Sequence, residues 1–135
     1  MSLNESIAAL RKANQSVPKP ARLPTEIEIA NAEEKIGIRF HPDFRIFLLQ
    51  ASDVVIGTLE PITITLPESH TDLIEVTRSA REWGVPNDWI PVCESNDDYF
   101  CITPRGDIRF WSHDSASNER WPSLSEWIDS VWLQS

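Results

Sequence analysis

The residue types able to do covalent or acid–base chemistry are few in this 135-residue chain: two cysteines, three histidines and a Ser-His-Asp run at 112–114. Ser112, His113 and Asp114 are the types of a nucleophile, a base and an orienting acid, but three consecutive side chains of an extended segment cannot converge on one reacting atom. Cys93 and Cys101 have seven residues between them, a spacing that matches neither a zinc site nor a redox motif. They read as free thiols of a reducing compartment. Pairing Cys101 with His113 would need an approach that sequence spacing does not supply. His41 precedes Pro42 and reads as a helix cap, and His41, His70 and His113 show no metal-ligand spacing. Four scattered glycines cannot form a phosphate-cradling loop. No catalytic, metal-binding or cofactor-binding residue is expected. The chemistry that remains is recognition. Glu94, Asp97 and Asp98 share one loop beside Tyr99, and strand register brings Trp111 close to them. Carboxylates next to aromatic rings would suit a basic protein partner, because charge guides the encounter and rings supply desolvated anchors. The same residues also fit a solvated loop with the rings beneath a helix.

Charge narrows the partner further. The formal net charge is -9, and residues 1–25 hold one acid (Glu5) against four bases (Arg11, Lys12, Lys19, Arg22). That leaves 20 acids and 8 bases in residues 26–135, a net -12. So acidic a body is repelled by phosphate backbones and drawn towards basic surfaces. The acidity would equally keep an ordinary cytosolic protein soluble. No apolar run is long enough to span a membrane, and the N-terminus lacks the apolar core of a signal peptide, so a cytoplasmic protein is expected.

These acids and rings need a scaffold, and Trp89 to Asp114 supplies it as three short strands joined by two turns. Thr103-Pro104-Arg105-Gly106 suits a type I turn closed by a left-handed glycine. The turn sets Thr103 against Asp107 and then pairs Ile102/Ile108, Cys101/Arg109, Phe100/Phe110 and Tyr99/Trp111. Folding the Glu94–Asp98 loop back symmetrically sets Val92 opposite Phe100 and Ile90 opposite Ile102. One face buries the isoleucines and phenylalanines. The other holds Pro91, Cys93, Tyr99, Cys101, Arg109 and Trp111, to be covered by a helix or by a partner. Pro91 lacks the ladder N–H, so its strand lies at an edge or pairs there on one side only.

Along the chain, Leu3, Ile7 and Leu10 predict a helix over 4–13, packed on the body or exchanged with a neighbour. Pro18, Pro20 and Pro24 mark an extended connector. Thr25 with Glu28 makes a capping box for a helix stopped by Gly37, with Ile29, Ala32 and Ile36 inward and Glu26, Glu33 and Glu34 on a solvated face. His41-Pro42 opens a helix that buries Phe44, Phe47, Leu48 and Ala51. Residues 54–66 read as two extended runs, and 71–83 as a helix with Leu73, Val76, Ala80 and Trp83 at core spacing. Ser123 with Glu126 opens a closing helix that buries Leu124, Trp127, Ile128, Val131 and Trp132. The order implies an α+β fold: a central antiparallel sheet flanked by helices, with an N-terminal helix and a C-terminal closing helix. The chain divides into a helix and connector at 1–22 and a domain at 23–135.

Several segments in one order resemble the SUKH superfamily, which includes a yeast Smi/Knr cell-wall regulator and many small bacterial proteins. They are Leu23-Pro24, AEEKIGIRF (32–40), HPDFRIFLL (41–49), GVPNDWIPV (84–92), DYFCI (98–102), GDIRFW (106–111) and SLSEWI (123–128). The likeness covers about Leu23 to Leu133, with the first helix outside the family core. It implies an α+β domain without enzymatic activity or cofactor, and in stand-alone bacterial members an immunity protein that binds a toxin, commonly a nuclease. Two other readings stay open: a regulatory or scaffold module, and an acidic mimic of nucleic acid. At Asn96-Asp97-Asp98 the chain departs from family members that carry Gly before the Asp-Tyr pair. The sequence sets no oligomeric state.

Overall fold

The turn at 103–107 organises the sheet. In the computed structural model, which describes residues 2–18, 21–112 and 118–135, the Gly106 amide donates to the Thr103 carbonyl at 2.9 Å and the Thr103 amide to that of Asp107 at 3.0 Å. Gly106 has φ +93°, as a left-handed closing residue requires. From there β3 (Asp98–Ile102) and β4 (Ile108–Trp111) pair in the register the turn dictates, Tyr99 to Trp111 through Ile102 to Ile108. Strand β2 (Ile90–Ser95) pairs with β3 on the other side, while the two-residue strands β1 (Glu60–Pro61) and β5 (Arg120–Trp121) close the edges. The result is a five-stranded antiparallel meander in the order β1-β2-β3-β4-β5.

Ile90 faces Ile102 as expected, but Val92 does not face Phe100. A bulge follows Pro91, and Cys93 takes the place opposite Phe100. A bulge adds one residue to one strand, so every later side chain of β2 changes face. Cys93 therefore leaves the row of Cys101, and Glu94 joins the row of Tyr99. The missing N–H of Pro91 is tolerated because β1 is too short to reach that rung.

Helices fill both faces. Helix α1 (Leu3–Ala13) is capped by Ser2 with Glu5, and α2 (Glu26–Ile36) by Thr25 with Glu28. Helix α3 (Pro42–Ala51) starts at His41, whose Nδ1 accepts from the Asp43 amide at 3.1 Å. Helix α4 (Leu73–Trp83) is capped by Asp72 and stopped by Gly84. Helix α5 (Leu124–Trp127) continues as a π-helical turn over Ile128–Trp132, with the Leu133 amide bonded to the Ile128 carbonyl at 2.9 Å. The wider turn brings residues five apart towards one face, so Trp127 and Trp132 lie 6.2 Å apart and both are buried. Trp127 packs 5.3 Å from Phe100, and Trp132 meets Phe47 of α3 at 5.9 Å. On the opposite face α4 packs against β2, and Gly84 lies beside Trp111. The chain itself covers the face for which a helix or a partner was expected. Cys101 and Tyr99 are buried there.

Other expectations change. Of the two placements open for helix α1, it packs on α3 and α5 of its own chain, with Ile7 and Leu10 in the same core as the sheet. Residues 54–66 hold only β1 and two single bridges, Ile56 to Leu59 and Thr63 to Asp72, in place of two full strands. Trp83 is 57% exposed, not core. Glu33 is not on a solvated face: its carboxylate accepts from the Phe40 amide and from Arg45, both at 2.6 Å, and ties α2 to α3. His113 and Asp114 lie outside the described residues.

Candidate functional site

The expected recognition residues converge on the β2–β3 hairpin. Ser95 pairs with Asp98, so the loop between them is only Asn96 and Asp97. Both have positive φ, +52° and +69°, the signature of a type I′ turn matched to the twist of its strands. Such a turn usually ends in glycine; here Asp97 occupies that position and stands exposed at the tip. Asp98 and Glu94 are half-buried on either side of it.

The bulge gives the acids their geometry. Because it moves Glu94 to the Tyr99 face, one row crosses the sheet as Glu60, Glu94, Tyr99 and Trp111. Two carboxylates thus sit on adjacent strands, next to a Tyr99–Trp111 ring pair at 5.9 Å. Like charges on opposing residues destabilise a sheet. Glu94 itself has a pKa raised by burial and by the Asp97 carboxylate at the tip, with His70 pulling the other way. His70 also bonds the exposed Glu60 carboxylate.

The aromatic part of the expectation needs correction. Tyr99 is 1% exposed, so it cannot anchor an incoming partner. Burial pushes its phenol up to about 12, with Glu94, Asp97, Cys101 and Asp98 adding to the shift. Trp111 is half-buried against Gly84 and Tyr99. The rings therefore support the acids from below, and the accessible surface is carboxylate. Sequence reasoning missed Glu60 and His70. Their only signal was the extended run before Pro61; the bulge then brings Glu94, and with it this pair, into the row of Tyr99.

Both thiols are buried and held in the protonated form. Burial pushes Cys93 up to about 12 and raises Cys101 as well, so both are protonated at neutral pH, and neither is nucleophilic as a thiol. They are free and buried. Among the described residues no group of three His, Cys, Asp or Glu is placed to hold a metal ion. None of the helices there is long and apolar enough to cross a membrane.

A five-stranded meander held between helices, carrying a carboxylate-rich hairpin tip and two buried thiols, is an α+β domain whose distinctive surface is charge. The chain belongs to the SUKH superfamily: the SUKH family model described as SMI1-KNR4 cell-wall matches residues 3–133, so it takes in α1 as well as the sheet. A crystal structure of a protein from Pseudomonas syringae pv. tomato is similar at 43% identity with a TM-score of 0.93, over 98% of this chain and 99% of that one. No curated protein matches.

Proposed function

We propose that this chain is a non-catalytic cytoplasmic binding protein, an immunity protein that neutralises a basic toxin domain by forming a stoichiometric complex with it. The reading rests on the β2–β3 tip, where Asp97 keeps a charged side chain in a left-handed position that glycine fills at less cost. With Glu94, Asp98 and Glu60 it makes a carboxylate edge on a rigid hairpin. Preorganised charge of that kind speeds association with a basic surface and fixes its orientation. A nuclease fits as the target class, because its substrate groove must itself be basic. SUKH membership supports the reading, as stand-alone bacterial relatives are linked to immunity.

Co-expression with a candidate nuclease toxin from the same genome tests it. Cells should survive with the wild-type chain and die without it; equal killing in both overturns the proposal. With the purified pair, Asp97→Lys with Asp98→Lys should slow association at least tenfold and flatten its salt dependence. Unchanged kinetics would move the interface away from this hairpin.

A further inference from the structure

The other end of the same sheet carries the opposite charge. A groove of about 580 Å³ opens beside the 103–107 turn, and Trp89, Arg105, Arg109 and Arg120 line it. Arg109 and Arg120 are direct partners across β4 and β5, so two guanidinium-bearing residues share one rung. That arrangement is unfavourable unless an anion sits between or over them. Elsewhere Arg11, Arg22, Arg45 and Arg78 pair with carboxylates, and Arg81 donates to the Ile36 and Asn87 carbonyls. Arg105, Arg109 and Arg120 have no such partner among the described residues.

Arg109 is the fixed member. Its guanidinium lies 5.5 Å from the centre of the Trp89 ring, and its Nε is buried without a hydrogen-bond partner. A buried donor left unsatisfied is unfavourable, and a small shift of the side chain towards an oxyanion in the groove would give it a partner. The groove's own acids do not: Asp107 is held by the Thr103 hydroxyl, and Asp88 stands exposed on the wall. We infer that this groove is a binding site for a small ligand bearing two or more carboxylate or phosphate groups, with Arg109 on the Trp89 ring as the preformed contact and Arg105 and Arg120 closing over the remaining oxygens. Guanidinium forks match such groups two bonds at a time. The net charge of -9 disfavours a long polyanion, whereas two or three charges confined to the groove meet a locally positive wall. The site is separate from the acidic tip and does not depend on the immunity reading.

Titration of the full chain at low salt with citrate, inorganic diphosphate and triglutamate tests this, read by calorimetry and by the Arg109 Nε–H resonance. At least one probe should bind saturably at one site and shift that resonance. Arg120→Gln should weaken it at least tenfold, and Asp88→Asn should tighten it severalfold. Preference for citrate or diphosphate would point to a free small anion, and preference for triglutamate to acidic side chains of a peptide. Failure of all three probes to saturate, or equal affinity in wild type and the Arg120→Gln variant, would overturn the assignment.

Discussion

Strand β3 spans about 13 Å from Asp98 to Ile102 at an ordinary strand rise, and the two turns at its ends are built on opposite terms. At the arginine end the turn closes with Gly106, and a β-carbon there would fall 2.5 Å from His41 Nε2. At the acidic end the equivalent left-handed positions are filled by Asn96 and Asp97. The first turn has its residue set by a φ of +93° and by the His41 imidazole ahead of α3, which would have to swing aside to admit a β-carbon. The second has room for a side chain and keeps a charged one despite the backbone. Where a turn gives up conformational ease to retain a carboxylate, the carboxylate itself is the feature to explain.

Breaking the constrained end should have the larger effect. Gly106→Ala places a side chain at φ +93° and drives it into His41, so a loss of about 2 kcal/mol or more is expected, measured as a lower urea midpoint at constant slope. Adding His41→Ala should recover the steric part and leave the backbone part, a coupling that a double-mutant cycle isolates. Strict additivity of the two changes would mean that the turn does not rest on α3.

The arginine end was also the more legible in sequence. Pro104 and Gly106 fix the turn, the turn fixes the register, and pairing from Ile102/Ile108 to Tyr99/Trp111 follows rung by rung. What failed were features for which two side-chain patterns are equally good. Val92 and Cys93 are both apolar enough to face Phe100, so alternation could not reveal the bulge, and Pro91 was its only trace. Tyr99 looked like a rim residue because it adjoins the acidic loop on a face too mixed to read as core, yet that face is covered and Tyr99 is buried. Trp83 sits at core spacing on α4, but that last turn runs past the core and leaves it exposed. The arginine groove was hidden for a different reason. Its residues lie 11 and 15 positions apart from Arg120 along the chain, and only β5, too short to announce itself, brings Arg120 opposite Arg109.

The acidic end should respond in the opposite sense to substitution. Asp97→Gly relieves a left-handed side chain at φ +69° and removes a charge from beside Glu94. Set against the extra freedom glycine gains when unfolded, a net gain of about 0.5 kcal/mol is expected. The same variant should bind a basic partner more slowly, so stability and association would move in opposite directions. A stability loss would show instead that the Asp97 side chain supports the fold.

The smallest effect sharpens the comparison by its pH dependence. Glu94 has a folded-state pKa raised by burial and by Asp97, so the folded chain holds that proton more tightly than the unfolded chain does. Its contribution is therefore favourable at low pH and is lost as pH rises from the ordinary carboxylate value of 4.5 through the raised one. Glu28 runs the other way. Arg22 and the Thr25 amide hold it down at about 2, so its contribution is present above 4.5 and lost as pH falls towards 2. Glu94→Gln keeps the shape of the protonated side chain without its titration. The variant should match wild type at pH 4 and exceed it at pH 7 by about half a kcal/mol at most, seen as a gap in urea midpoint that opens with pH. A gap of constant size would mean that Glu94 is no more strained by its neighbours in the folded chain than in the unfolded one. Burial of Glu94 beside Asp97 would then cost the fold nothing, and the contrast with the glycine-closed turn at the far end of β3 would rest on the Asp97 backbone alone.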